Sequence, residues 1–213
     1  MERWLHPAFE ERLRSHAWRD ARVLDIGTGA GNPAFLLGEL GATVLGIDQT
    51  EERLAEARMA ATQEISQVRF EVADAESADY AALLPGITAV TAHLCMSAEI
   101  VRRAAVALPR GGRFLFCAHH PDHHRETGRP PTFAMAEEFL RRLLVEVGFV
   151  PEFLQSYREF REYSTFEELA RAFDAPQIAH WKEVGAWEPL RRSFESGDRR
   201  LTRAHVVGDA VRR

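Results

Sequence analysis

VLDIGTGAG, residues 23–31, places a glycine-rich turn between a short apolar run and a helix-like segment that begins near Pro33. Gly27, Gly29 and Gly31 can adopt positive φ and carry no Cβ, so a ligand can lie against backbone N–H groups at the start of the helix. A loop between a first strand and a first helix lies in the crevice where open α/β sheets bind ligands. The stretch therefore predicts an α/β sheet with a nucleotide-like ligand at this loop.

Two features of this loop discriminate between ligands. Asp25 stands two places before Gly27, and the glycines follow the spacing G-x-G-x-G, whereas a dinucleotide-binding loop follows G-x-G-x-x-G. We expect a carboxylate at the mouth of the loop to repel a pyrophosphate and to tolerate an ammonium group or a bound water. The loop therefore disfavours NAD, and its candidate cofactor-binding residues are Asp25, Gly27, Thr28, Gly29 and Gly31.

Two later strand ends carry groups that suit an adenosine. Asp48 ends the second predicted strand, where its carboxylate can accept hydrogen bonds from both ribose hydroxyls, and Gln49 follows it. At the end of the third strand, Ala73, Asp74 and Ala75 offer a carboxylate acceptor for an exocyclic amine and a backbone donor beside it. These strand ends predict a cofactor that contains adenosine.

Strand-like and helix-like segments alternate along the chain. Predicted strands cover residues 22–26, 43–48, 68–74, 87–96, 113–118 and 201–211, and residues 151–163 look extended. Predicted helices cover residues 33–40, 51–64, 78–84, 98–108, 132–147 and 165–173, with Thr132 and Thr165 as N-caps, and residues 174–200 are irregular or helical. The alternation predicts a mostly parallel sheet with helices on both faces.

Composition narrows the classes of function. A net charge of -5 argues against general affinity for nucleic acid or anionic membrane, and no apolar run is long enough to span a bilayer. The N-terminal residues lack the continuous apolar segment of a secretory signal, so we expect a cytoplasmic protein. Cys95 and Cys117 lie in apolar stretches and are interpreted as reduced, buried thiols. A small-molecule substrate and a monomer or homodimer are expected.

The chain resembles the class I S-adenosylmethionine-dependent methyltransferases over about residues 23–149. VLDIGTGAG is similar to their first motif, and GIDQT carries their ribose-binding acid at Asp48. VADAES resembles their adenine-contacting motif at Asp74, ALPRGGRFLF their turn before the fifth strand, and VGFV their approach to the sixth strand. One departure is Thr88, which stands where the family often has an acidic residue at the start of the fourth strand.

The resemblance implies a three-layer α/β/α sandwich around a seven-stranded, mostly parallel sheet of order 3-2-1-4-5-7-6, with an antiparallel last strand. It implies a single domain over residues 1–213. Within it, residues 1–21 form an N-terminal helix, residues 22–150 the cofactor-binding core, and residues 151–213 the C-terminal strands with a lid-like insertion at about 164–200. The implied cofactor is S-adenosyl-L-methionine, and the implied reaction is direct in-line methyl transfer to a small-molecule acceptor.

Histidines at two strand ends are the candidate catalytic residues. An acceptor that must lose a proton benefits from a base that titrates near the operating pH. His93, in or just beyond the fourth strand, and His119, at the end of the fifth, both border the expected cofactor crevice, and His93 is also a candidate cofactor contact. The alternative for His93 is a partly buried strand residue with one satisfied hydrogen bond.

Aromatic residues and a histidine loop supply candidates for the substrate pocket, with simple core packing as the alternative. They are His119, His120, Tyr157, Trp181 and Trp187.

The loop HHPDHH, residues 119–124, contains good ligands for zinc or a similar ion. Pro121 interrupts any helical i, i+4 geometry between His119 and His123, and no cysteine or carboxylate motif elsewhere completes a site. No metal site is therefore predicted, and a solvated loop is the favoured interpretation.

Two other functions compete with methyl transfer. A noncatalytic S-adenosylmethionine-binding subunit that partners another protein would keep the same loop, Asp48 and Asp74. An NAD-dependent oxidoreductase is disfavoured by Asp25 and by the glycine spacing.

Overall fold

Short apolar runs between turn residues form the inner strands of one sheet in the computed structural model, which describes residues 4–61 and 67–213. The strands are β1 (Arg22–Ile26), β2 (Thr43–Asp48), β3 (Val68–Val72), β4 (Ala89–His93), β5 (Arg113–His119), β6 (Phe149–Glu162) and β7 (Arg200–Arg212). Their order in the sheet is 3-2-1-4-5-7-6. Strands β1 to β5 pair in parallel, and β7 runs antiparallel to β5 and β6. The predicted fold class is confirmed.

The helices within the described residues alternate with the strands. They are α1 (Pro7–Arg14), α2 (Asn32–Glu39), α3 (Glu51–Ala60), α4 (Tyr80–Leu83), α5 (Ala98–Ala107), α6 (Glu137–Glu146), α7 (Phe166–Arg171), α8 (Ala175–Glu183) and α9 (Trp187–Glu195), with a 3₁₀ turn at Arg125–Thr127. Each is too short or too polar to cross a membrane, as far as the described parts of the chain extend.

Two apolar clusters cover the two faces of the sheet because side chains along a strand alternate in direction. Leu24 and Ile26 of β1 belong to a cluster that includes Ile100 of α5 and Leu140 of α6. Val23, whose side chain points to the opposite face of the sheet, belongs to the cluster that contains residues of α1 and α2. The sheet is therefore the middle of three layers.

Helices α7, α8 and α9, the C-terminal helices, have an apolar cluster of their own. Trp181, Trp187 and Leu190 pack together there with Leu201 at the start of β7. This cluster lies between β6 and β7 in the chain, within the segment expected to form a lid.

A buried charge fastens the N-terminal helix to the sheet. Asp209 of β7 is fully buried, and its carboxylate accepts hydrogen bonds from Arg12 of α1 at 2.9 Å and Arg113 of β5 at 2.9 Å. His16 lies 2.7 Å from the same carboxylate. Burial would raise the pKa of Asp209, but the hydrogen bonds from Arg12 and His16 and the charge of Arg113 outweigh it and keep that pKa below its usual range.

The structure corrects three predicted boundaries. The predicted helix from Thr132 begins only at Glu137, because Met135 N–H donates to the His119 carbonyl at 2.8 Å and holds the preceding residues against β5. Strand β4 ends at His93, since Leu94 adopts a φ of 60° that a strand does not allow. Helix α3 ends at Ala60, because Ala61 is an extended C-cap, and residues 62–64 of the predicted helix fall outside the described residues.

Candidate functional site

A single continuous cavity of about 850 Å³ lies at the carboxyl ends of the parallel strands. We call one part the glycine-loop end, which is lined by Gly27, Asp48, Gln49, Ala73, Ala75 and Glu76. We call the other part the histidine end, which is lined by His119, His123, His124, Thr127, His180 and Trp181. Residues 93–96, at and after the end of β4, line the cavity between the two ends.

The glycines of the first loop serve different purposes. All three have positive φ, with values of 61° at Gly27, 50° at Gly29 and 81° at Gly31. A Cβ at Gly27 would overlap the side chain of Cys95, and a Cβ at Gly31 would lie 2.7 Å from the Phe35 ring, whereas a Cβ at Gly29 would meet nothing within 4 Å. Packing alone therefore requires glycine at the first and third positions. Only the backbone of Gly27 lines the cavity among the three.

Asp25 lies beneath the loop and not at its mouth, which corrects the expected placement. Its carboxylate is fully buried and accepts hydrogen bonds from the hydroxyls of Thr28 at 2.6 Å and Thr91 at 2.8 Å, and from the backbone amide of Ala34. Burial raises its pKa to about 7, against the lowering effect of these hydrogen bonds. Neither Asp25 nor Thr28 lines the cavity, so both shape the loop from below.

Asp48 is placed as the sequence predicts, at the end of β2 with its side chain in the cavity wall. Its carboxylate accepts a hydrogen bond from Gly29 N–H at 3.1 Å and a longer one from Thr50 N–H at 3.4 Å. A carboxylate has about four acceptor positions, so acceptor capacity remains for a ligand. Gln49, the next residue, also lines the cavity.

Asp74 is exposed and does not line the cavity, contrary to the expected direct contact. Its carboxylate accepts hydrogen bonds from Glu76 N–H at 2.9 Å, the Ser77 hydroxyl at 3.1 Å and the Gln49 amide at 3.3 Å. The Glu76 hydrogen bond is the main cause that keeps the pKa of Asp74 below its usual value. Asp74 thus shapes the turn after β3, and its neighbours Ala73 and Ala75 face the cavity.

His93 lies between the two ends of the cavity. Its Nε2 accepts a hydrogen bond from His6 N–H at 3.2 Å, and its ring stacks on Phe9 with centroids 5.3 Å apart. Burial, with smaller contributions from His6 and His119, lowers the pKa of His93 to about 3. Because one ring nitrogen is already an acceptor for the backbone, His93 is poorly suited to take a proton from a substrate.

Four imidazoles gather at or behind the histidine end. The ring centroid of His123 lies 4.3 Å from that of His119, 3.9 Å from that of His124 and 4.7 Å from that of His205, which pairs with His119 in the register of β5 and β7. Burial lowers the pKa of His119 to about 4, and those of His124 and His205 to about 3. The sequence excludes only a cysteine or carboxylate partner of the 119–124 loop, and the structure adds a histidine, His205 on β7.

The predicted pocket aromatics separate into two groups. Trp181 lines the cavity and, like His119, is placed where the sequence predicts. Trp187 lies behind it in the cluster of the C-terminal helices, with its ring 5.1 Å from the Phe166 ring, and does not reach the cavity. Core packing is the correct interpretation of Trp187.

His120 and Tyr157 also lie outside the cavity wall. His120 Nδ1 accepts a hydrogen bond from Asp122 N–H at 3.0 Å, and the Tyr157 ring packs edge-on against His6 with centroids 5.0 Å apart.

Several lining residues carry no motif and were missed. They include Leu94, Thr127, Arg129, Phe133, Gln177 and His180. Leu94 and His124 have positive φ, an uncommon conformation for residues other than glycine that is concentrated at functional sites. The one signal in the sequence is position, since most of the others follow β5 or lie on α8.

Comparison with known proteins gives a consistent picture. A family model described as "Methyltransferase domain" matches residues 19–145. A ubiquinone biosynthesis O-methyltransferase from Thiobacillus denitrificans is 36% identical over 125 residues, which are 53% of this chain and 52% of that protein. The chain thus spans about half the length of this curated relative.

Two solved structures resemble the whole chain. The YcgJ protein of Bacillus subtilis superposes with a TM-score of 0.71 at 18% identity, over 98% of this chain and 99% of that one. An S-adenosylmethionine-dependent methyltransferase from Mesorhizobium loti superposes with a TM-score of 0.61 at 21% identity, over 97% of this chain and 99% of that one. At these identities the two structures are informative about the fold alone.

Proposed function

We propose that this chain, which belongs to the class I S-adenosylmethionine-dependent methyltransferases, methylates a small hydroxylated acceptor held at the histidine end of its cavity. The observation that carries the proposal is the continuity of the cavity from Asp48 to His119. A nucleotide-sized ligand at the glycine-loop end leaves space beyond residues 93–96 for a second molecule, since pockets for one drug-sized ligand begin at about 300 Å³.

The residues at the glycine-loop end fit S-adenosylmethionine, which supplies an electrophilic methyl group on a sulfonium centre when bound. The backbone of Gly27 lines the wall without a Cβ, and the open acceptor positions of Asp48 suit the two hydroxyls of a ribose. Gln49, Ala73 and Ala75 complete this end, and we assign the adenine to them. Asp25 acts from below, because it fixes Thr28 and therefore the path of the loop.

The histidine end fits an acceptor of modest size. Trp181 and Phe133 offer apolar surface, whereas His119 and His124 offer ring nitrogens that are neutral at pH 7. Such a mixture of apolar wall and few polar groups is typical of small-molecule pockets. The similarity to ubiquinone biosynthesis O-methyltransferases supports a hydroxyl as the group that accepts the methyl.

For in-line methyl transfer, the protein must align the acceptor with the methyl group and exclude water. Leu94, Cys95 and Met96 line the stretch between the two ends, where the acceptor oxygen and the methyl group must meet. Met96 is almost fully buried and Cys95 half-buried, so this stretch is mostly apolar. The pKa of the Cys95 thiol is raised to about 11 by burial, which keeps it from competing as a nucleophile.

Calorimetric titration with S-adenosylhomocysteine, with NADH as a parallel control, tests the proposed cofactor. We expect micromolar binding of S-adenosylhomocysteine alone. Turnover of S-adenosylmethionine with matched pairs of acceptors, each a phenol and the corresponding aniline, tests the proposed hydroxyl acceptor. Methylation of anilines but not phenols, or binding of NADH alone, would overturn the proposal.

A further inference from the structure

Three histidines at the histidine end converge from separate parts of the chain. His119 ends β5, His123 lies four residues later in the loop, and His205 is the register partner of His119 on β7. Each offers one ring nitrogen, and these nitrogens all lie within 4.8 Å of one another. Among the residues that the structure describes, these three are the one group of His, Cys, Asp or Glu side chains close enough to share a metal ion.

We propose that His119, His123 and His205 form a binding site for Zn²⁺ or a similar divalent ion. Three histidines are an established ligand set of catalytic zinc, which leaves the fourth position of the tetrahedron for water or substrate. Zinc–nitrogen bonds of about 2.0–2.1 Å place the ligand atoms about 3.3 Å apart. The closure required from the present arrangement is therefore at most about 1.5 Å for any pair of nitrogens.

An unsatisfied polar atom marks the site. His119 Nδ1 is buried and has no hydrogen-bond partner. A buried polar group without a partner destabilises the fold, and such a group calls for a physical reason, of which an ion is one. Metal coordination at this ring gives the trio a reason to stay buried together.

The second ring already has the outer contact that metal-bound histidines use. His123 Nδ1 lies 3.2 Å from the Ala204 carbonyl oxygen and 3.1 Å from the Ala204 amide nitrogen. When protonated it donates to the carbonyl, and when unprotonated it accepts from the amide. In the tautomer that donates to the carbonyl, Nε2 is free of a proton and can bind a cation. Metal-bound histidines commonly donate their other N–H to such a carbonyl, which fixes the ring.

The open position of this site faces the cavity. His119 and His123 both line the histidine end, whereas His205 is almost fully buried behind them. An ion held by the three rings would therefore present its remaining coordination position to the acceptor. All three ligands are neutral, so the ion keeps its full charge to act on what binds there.

The site deepens the proposed function, on which this step rests. A hydroxyl bound at the open position becomes more acidic, as water does on catalytic zinc. Its proton passes to solvent water, and the electron pair of the O–H bond stays on the oxygen, which becomes the nucleophile. The acceptor class is then an alcohol or phenol that can coordinate a metal, and the protein needs no histidine as a base.

Metal binding by the full chain can be measured without any acceptor. After dialysis against a chelator, the protein is titrated with Zn²⁺ and, separately, with Co²⁺, whose absorption reports coordination by nitrogen ligands. We expect one ion per chain and the intense visible bands of four- or five-coordinate cobalt. Absence of both saturable zinc binding and these bands would overturn the proposal.

Variants locate the site. We expect His123→Gln and His205→Gln each to weaken zinc binding more than about 100-fold, because loss of outer-shell partners alone weakens it 10–100-fold. The matched control is His120→Gln, which changes a histidine of the same loop that is not part of the trio and whose Nδ1 accepts from Asp122 N–H, and it should keep the wild-type affinity. Equal losses in all three variants, or no loss in either test variant, would refute the assignment. Should one test variant fail to fold, the other and the cobalt spectrum decide.

The outcome is separable from the proposed function. Titration with S-adenosylhomocysteine on the same samples reports the glycine-loop end, which lies apart from the trio. Zinc binding without phenol methylation would retain the site and reject the proposed acceptor. Methylation that persists at the wild-type rate in chelator-treated, metal-free protein would reject the metal's part in the reaction.

Discussion

Replacement of Asp48 by asparagine removes one charge from the glycine-loop end and changes little else in shape. The carboxylate is almost fully buried, lines the cavity and accepts hydrogen bonds from Gly29 N–H at 3.1 Å and Thr50 N–H at 3.4 Å. The asparagine oxygen can retain the shorter of these contacts. The amide nitrogen, however, replaces an acceptor by a donor where the two ribose hydroxyls need acceptors.

The expected loss of affinity follows from the negative charge of the acceptor that the substitution removes. A hydrogen bond to a charged group contributes about 1.5–3 kcal/mol, so Asp48→Asn should raise the dissociation constant of S-adenosylhomocysteine by about 10- to 150-fold. Calorimetric titration at 25 °C measures the change, and the circular dichroism spectrum of the variant should match that of the wild type.

Asp74→Asn is the matched control for this measurement. Asp74 also follows a strand end, but it is exposed, and Glu76 N–H, Ser77 and Gln49 occupy its carboxylate outside the cavity wall. We expect an affinity within about threefold of the wild type. A folded Asp48→Asn with unchanged affinity, or a larger loss from Asp74→Asn, would refute the assignment of the ribose to Asp48.

Three further predictions concern stability and are measured by urea unfolding. Burial raises the pKa of Asp25 from 3.8 to about 7. Between these two values the folded protein holds a proton that the unfolded chain has released. The contribution of Asp25 to the free energy of unfolding therefore falls by up to about 4 kcal/mol as pH rises from 4 to 7. Asp25→Asn lacks this pH dependence, so its free energy of unfolding should rise relative to that of the wild type between pH 4 and 7. A difference between the two proteins that stays constant with pH would contradict the prediction. Gly27→Ala should lower the free energy of unfolding by about 2 kcal/mol or more, because the added Cβ overlaps Cys95. Gly29→Ala should lower it by at most about 1 kcal/mol, because the added Cβ meets no atom within 4 Å. Similar losses in the two variants would argue against the loop geometry. Asp209→Asn should lose about 3 kcal/mol, since it leaves two arginines without their buried partner, and a loss below about 1 kcal/mol would show that the ion pairs contribute little.

The fold could be predicted because its signals are local. Alternating apolar runs and a glycine loop specify strands, helices and the crevice between them, and the family resemblance adds the strand order. Asp48 was predicted for the same reason, since a polar residue at a strand end in this crevice faces the ligand.

The errors come from contacts between residues far apart in the chain. Asp25 lies opposite Thr91 in the register of β1 and β4, and this pairing turns its carboxylate inward to two hydroxyls and a helix N-terminus. His205 joins the histidine loop only because β7 is inserted beside β5. Trp181 and Trp187 lie six residues apart and belong to one apolar cluster, and only the packing of α8 on α9 decides which ring reaches the cavity.

The division of the cavity between the two halves of the chain affects how this protein could diversify. Residues from β1 to the turn after β3 line the glycine-loop end, and residues from the end of β5 onward line the histidine end. Substitutions in the 119–133 loop or on α8 can therefore alter the preferred acceptor while the nucleotide contacts stay intact. A chimera that receives these two segments from a relative would inherit the donor's substrate range on an unchanged cofactor platform.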